Sequence, residues 1–262
     1  MARRHAALLL AVGFLGLAVP AHAQAPVTLR IVFPEGFSVR QMADRAAEVR
    51  KIAIRKRHVT PRLSGPAYRA AAARARAPRG FRLKRRSMEG FLFPALYEFT
   101  KDTPASELIA DQRAAFEREW RRISLRGRNP YSVLIVASMI ERETAAPEER
   151  RLVSAVIYNR LRADMTLSID ATLRYGLGIP GNRPLTRRHL RSRSPYNTRI
   201  HKGLPPTPIG NPGVPSMRAA ARPADRNYLY YLRRPNSIRH FFTADEEEFC
   251  AKAREWGYTE DC

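Results

Sequence analysis

Val133-Leu134-Ile135-Val136-Ala137-Ser138-Met139-Ile140 runs without a charge and then turns into Glu141-Arg142-Glu143-Thr144. Asn129-Pro130 stands just ahead of it. That pair supplies a side-chain cap and a proline whose missing N–H costs nothing in a first turn. The spacing predicts a helix from about Tyr131 to Glu143. Apolar on every face, such a helix has to be buried. A carboxyl group at its end is then partly desolvated, which disfavours the charged form and raises its pKa. A general acid working near neutral pH needs that property. Glu143 shares a stripe with Val136 and Ile140, whereas Glu141 follows Ala137 and Ser138 on a neighbouring face. The ordinary alternative stays open: acids at helix ends pair with nearby arginines, here Arg142, Arg150 or Arg151.

Working outward, Ala146-Pro147-Glu148-Glu149 opens a further helix to about Arg162, with its acids at the positive end. On the N-terminal side, Thr103-Pro104 starts one running to about Ile123. Val27 to Phe33 alternates and is rich in β-formers, so it reads as a strand. Ser38 and Gln41 form a capping box that opens a helix to about Lys51. From Arg50 to Ser87 there are fourteen Lys or Arg and no acid, interrupted by prolines and glycines. That stretch reads as a mobile basic linker or a wall-binding face. Beyond Arg162 the chain is rich in turns to about Gly213. Tyr228–Arg233 and Ile238–Thr243 form a hairpin, and Asp245-Glu246-Glu247-Glu248 opens a last helix. The expected class is α+β: a helical core around a buried, glutamate-bearing helix, with small β elements.

The first residues carry their own message. Arg3 and Arg4 precede an apolar run from Ala6 to Val19, and Pro20 and Ala21-His22-Ala23 follow. This is the layout of a secretory signal peptide, or of an anchor if it is not cleaved. The expected organisation is therefore 1–23 signal peptide or signal anchor, 24–88 strand–helix element and basic linker, and 89–262 catalytic domain. The formal net charge is +23 in 262 residues. Such a charge favours polyanionic partners. Export turns attention from nucleic acid, which is not expected as a partner, to anionic lipid and wall polymers. Cys250 and Cys262 either pair or remain free thiols, and no Cys/His spacing resembles a zinc site.

Three further clusters carry chemistry. Tyr158-Asn159-Arg160-Leu161 suggests a buried polar network around Asn159. Asp170, in Met165-Thr166-Leu167-Ser168-Ile169-Asp170, either orients a substrate or caps a helix. Ser194-Pro195-Tyr196-Asn197-Thr198, with the stiff Gly203-to-Gly213 segment after it, offers stacking by Tyr196 and hydrogen bonds from Asn197 and Thr198. A structural turn is the plainer alternative.

Taken in order, EGFLFP, ASMIERET, YNRL, M-x-L-x-x-D, SPYNT, GLPPTPIGNPG, YLYY and H-x-F resemble the endolytic murein transglycosylase (YceG-like) family, over about Glu89 to Phe249. The resemblance implies an enzyme of the cell envelope, on the periplasmic side of the inner membrane. Its substrate would be peptidoglycan glycan strands, its possible partners peptidoglycan synthases, and it would need no metal or cofactor. It implies cleavage between N-acetylmuramic acid and N-acetylglucosamine to leave 1,6-anhydromuramic ends. The family's catalytic glutamate falls on Glu143. Glu141, Asn159, Asp170, Tyr196, Asn197 and Thr198 are the candidates for substrate binding or support. Ser168 stands where the family favours glutamine and Arg199 where it favours tyrosine. A LysM-like module ahead of Val27 is not expected. Two other readings compete: a peptidoglycan hydrolase using Asp170 or Glu141 as a second carboxylate, and a non-catalytic basic wall-binding protein.

Overall fold

A computed structural model describes residues 27–83, 85–258 and 262 of the chain. The expected signal or anchor at 1–23 lies outside the described residues. Strand β1 (Leu29–Val32) pairs antiparallel with β2 (Leu96–Phe99), placing Leu29 opposite Phe99 and Val32 opposite Leu96. Between them come α1 (Val39–Arg57) and α2 (Gly65–Arg74). The capping box at Ser38 and Gln41 forms as expected, and α1 continues past Lys51 until His58 turns it left-handed at φ 52°. Met42, Ala43, Ala46, Val49 and Ala53 give α1 its buried stripe.

The basic stretch is not a mobile linker. Its first part extends α1, and its middle forms α2, capped by Ser64 with a proline in the first turn. Leu63, Tyr68 and Ala72 are buried there. A Cβ at Gly65 would come within 2.9 Å of the Ala43 carbonyl, so the two helices approach closely at that glycine. Apolar residues, several of them alanines, face inward while most of the arginines face water. Counting charges alone hid this amphipathic pattern. Nor does residue 88 divide two cores: β1 pairs across it, and one hydrophobic cluster contains Ile31, Tyr68, Phe91 and Leu134 together.

Helix α3 (Ala105–Trp120) begins one residue later than expected. Pro104 takes the cap position, and the Thr103 hydroxyl accepts from the Thr100 N–H instead. Helix α4 (Pro130–Glu143) is the predicted central helix, capped by Asn129 and buried from Val133 to Ile140 without a break. Each fully buried Leu, Ile, Val or Met side chain is worth roughly 1.5–3 kcal/mol, and α4 concentrates them. A single turn (Pro147–Glu149) leads into α5 (Arg150–Arg162).

The region expected to be turns holds two short helices, α6 (Asp170–Leu177) and α7 (Arg187–Leu190), and a third, α8 (Val214–Ala221), follows directly after it. Helices this short depend on tertiary packing rather than on their own propensity. Strands β3 (Tyr230–Arg233) and β4 (His240–Thr243) form the expected hairpin, and Asp245 caps α9 (Glu246–Glu255). Successive strand residues face opposite ways. Tyr230 and Leu232 therefore pack with Phe249 and Ala253 of α9 in a small second cluster. Tyr231, His240 and Phe242 occupy the other face as mutually contacting rings. Cys250 and Cys262 are joined by a disulfide. The class is α+β, as expected. Among the described residues no helix is long and apolar enough to cross a membrane.

Candidate active site

Helix α4 ends at the wall of a polar cavity of about 540 Å³, and Glu143 lines it. The opposite wall comes from the hairpin, where the Tyr231 hydroxyl donates to a Glu143 carboxylate oxygen at 3.0 Å. The loop 165–170 and Arg199 close a third side. Burial pushes the Glu143 carboxyl above the ordinary carboxylate range. The Tyr231 bond pulls it back, the Asp170 charge adds to the rise, and the Ala171 backbone amide and His240 pull it down again. Burial and the neighbouring Glu143 charge hold the Tyr231 phenol well above its usual pKa, so it stays a donor.

The hairpin is pinned where it faces α5. Glu149 is buried and accepts from the His240 backbone N–H at 2.9 Å and pairs with His240 Nδ1 at 2.6 Å. The His240 ring stands edge-on to Tyr231 with centroids 5.4 Å apart. Asn159 Nδ2 donates to the carbonyls of Arg226 and Tyr228, just ahead of β3. Arg160 Nε donates to the Leu229 carbonyl at 2.6 Å and its other arm reaches the Thr166 and Leu167 carbonyls. Arg160 thus ties hairpin and loop to α5 at the edge of the cavity.

The expected supporting residues divide. Asp170 lines the cavity with Glu143, and its carboxylate accepts from Arg199 Nε at 2.8 Å. Thr198 is buried and does not line it; its hydroxyl accepts from the Ile169 N–H and its carbonyl from the Ser168 N–H. It therefore sets the turn that presents Asp170, with Ser168 left-handed at φ 53°. Asn197 is fully buried and spends its amide on the Leu190 and Ser192 carbonyls. Asn159 is likewise structural, for the hairpin. Tyr196 bonds Thr207 and packs against Tyr175 in a neighbouring cavity, away from Glu143. Glu141 points elsewhere: one oxygen accepts from the Gly213 N–H at 2.9 Å and the other lies 3.9 Å from Arg150.

Tyr231, His240, Glu149, Arg160 and Arg199 were not singled out as site residues from the sequence. The aromatic density of Tyr230-Tyr231 and His240-Phe241-Phe242 was the available signal. A second buried acid was also missed. Glu89 accepts from the Val39 N–H, the Tyr175 hydroxyl and Asn211 Nδ2. Burial raises it to about 7, against the pull of the Tyr175 hydroxyl, the Val39 N–H, Arg142 and Arg40.

The sequence pattern of the YceG-like family matches residues 15–255. The endolytic murein transglycosylase of Bacillus subtilis (strain 168) is 34% identical over 172 residues, which is 64% of this chain and 48% of that protein. The endolytic murein transglycosylase of Streptococcus pneumoniae (strain D39) is 27% identical over 169 residues, 62% of this chain and 31% of that protein. The chain thus spans half or less of the length of these curated relatives. A crystal structure of a yceG-like protein from Listeria monocytogenes shares the fold with a TM-score of 0.71, at 27% identity, covering 86% of this chain and 76% of that one. With its pattern matched nearly end to end and its fold shared with that solved relative, the chain belongs to the YceG-like family.

Proposed function

We propose that this chain is an endolytic peptidoglycan lytic transglycosylase of the cell envelope, with Glu143 as its acid and base. A glycosidase of the common kind needs two carboxylates. A muramic acid residue carries a C6 hydroxyl that can replace water or a second carboxylate as nucleophile. Glu143 first gives its proton to the glycosidic oxygen as the bond from C1 of N-acetylmuramic acid to that oxygen breaks. The C6 oxygen then closes on C1, and the Glu143 carboxylate takes the hydroxyl proton. The acid is regenerated, no water is consumed, and the product end is a 1,6-anhydro sugar. Acting on nascent strands on the periplasmic side of the inner membrane, such a cut would end their elongation. A peptidoglycan synthase would be the natural partner.

One observation carries the reading. Glu143 is a carboxyl with a raised pKa, on a polar cavity wall, oriented by a neutral phenol at 3.0 Å. The other cavity carboxylate considered as a nucleophile, Asp170, is engaged by Arg199, which favours the lyase over the hydrolase. Glu143→Gln keeps the shape and cannot transfer a proton. It should fold normally and lose turnover by about 10²–10⁴-fold, the usual contribution of general acid–base catalysis. Mass spectrometry of digested glycan strands should find anhydro ends. Reducing ends instead would establish a hydrolase, full turnover in the variant would assign the proton transfer to another acid, and no cleavage by the wild-type chain would leave a binding protein.

A further inference from the structure

Helix α6 separates two cavities. Asp170 at its start lines the one that holds Glu143, and Tyr175 and Gly176 in its last turn line a second, of about 560 Å³. Five residues of helix separate them, roughly 7.5 Å at 1.5 Å per residue. The turn 194–199 also borders both, with Arg199 in the first and Tyr196 in the second.

The second cavity has a distinct chemistry. Arg40, Arg69 and Arg86 line it, Tyr175 and Tyr196 form an aromatic side, and Glu89 lies buried within the wall. Both Glu89 oxygens already accept from protein donors, so the acid offers little to a ligand. The remaining charge facing the space is cationic.

Two glycines at the end of α6, Gly176 in its last turn and Gly178 just past it, hold these groups in place. A Cβ at Gly176 would lie 2.6 Å from the Tyr196 Cβ and 2.7 Å from the Ser194 hydroxyl. Glycine inside a helix costs about 1 kcal/mol relative to alanine, and here it makes room for the aromatic wall. At Gly178, left-handed at φ 69°, a Cβ would lie 2.5 Å from an Arg40 guanidinium nitrogen. That guanidinium sits over the end of α6, where helix carbonyls favour a cation. An aromatic ring and a cation are thus fixed side by side next to the cleavage cavity.

We infer that this second cavity is a subsite for the carboxylate-bearing peptide stem of the glycan strand, one step away from the bond being cut. The inference rests on the peptidoglycan reading. It adds recognition of a substrate part that Glu143 does not touch. Arginines suit carboxylates because their planar fork matches two oxygens, and the tyrosines cover the aliphatic parts of the stem.

The test separates this from the cleavage reaction. A free peptide stem with its carboxylates intact, carrying no sugar, is titrated calorimetrically into the full chain. Saturable binding is expected, weakening at least tenfold in Arg40→Ala/Arg69→Ala and fading as salt rises. The same peptide with its carboxylates amidated should bind at least tenfold more weakly. Equal binding of the two peptides, no binding of the acid form, or undiminished binding by the double variant would each overturn the subsite. Displacement of the stem by a poly(glycerol phosphate) chain at lower concentration would assign the cavity to a wall polymer and overturn it as well. None of these results depends on bond cleavage. The assignment of Glu143 stands or falls on its own variant.

Discussion

In the proposed reaction, Glu143 has to hold a proton before the glycosidic bond breaks and release it as the bond breaks. Burial supplies the first condition, and the Tyr231 hydroxyl favours the carboxylate that the second produces. Removing each influence should move the pH profile in opposite directions. Tyr231→Phe deletes a donor to the carboxylate, so the Glu143 pKa rises further and the falling limb of kcat/KM moves to higher pH. Asp170→Asn deletes a negative neighbour that raises the pKa, so the limb moves lower. Parallel shifts in the two variants would mean that another group controls the limb. The burial of Glu143 was legible in the sequence because a single apolar helix carries it. Tyr231 was not, because it meets Glu143 across 88 residues of chain and only through the docking of a hairpin. The partners of Asn197 and Asn159 were hidden for a related reason. Sequence shows an amide but not which carbonyls lie near it.

Among the elements, the β3–β4 hairpin depends on few anchors. Asn159 Nδ2 holds two of its leading carbonyls. Asn159→Leu should cost roughly 1–3 kcal/mol through unpaired carbonyls, seen as a lowered Tm. Turnover should fall as well, because Tyr231 loses its position. Normal turnover in this variant would show that the hairpin docks without it. Helix α1 has a comparable anchor in Glu89, which accepts from the Val39 N–H in its first turn. Its folded pKa of about 7 stands above the 4.5 of an unperturbed glutamate. A raised carboxyl stabilises most when protonated. Its contribution is therefore complete below pH 4.5 and lost as pH climbs through 7. Thermal melts should show wild-type stability declining across that window, and Glu89→Gln should flatten the decline. Helix α1 was readable from its capping box. Helices α6 and α8 were not, because eight residues give too short a period and their stability comes from neighbours distant in sequence.

Over the whole molecule, charge and fold are separable. The arginines between 50 and 86 share their segment with buried Leu63 and Tyr68, so the same stretch builds core and carries positive surface. Arg55, Arg57, Arg62, Arg76, Arg79 and Arg82 are all exposed. Changing these six to glutamine should weaken binding to intact sacculi at low salt. The difference should shrink towards physiological salt, where exposed charges are screened beyond about 8 Å. A salt-independent loss would point to damaged folding instead. The α+β class was readable from helix caps and the hairpin pattern. The unity of the core was not, since the pairing of β1 with β2 brings together residues some seventy positions apart.

The acid belongs to α4 in the large core, but the phenol that orients it belongs to a hairpin whose other face packs into the small cluster with α9. Reactivity is therefore gauged by the fit of two unequal bodies, and the smaller one has little buried surface with which to resist loosening. On warming, cutting should fade while far-UV circular dichroism still reports an intact molecule. A molecule built this way goes silent before it goes slack.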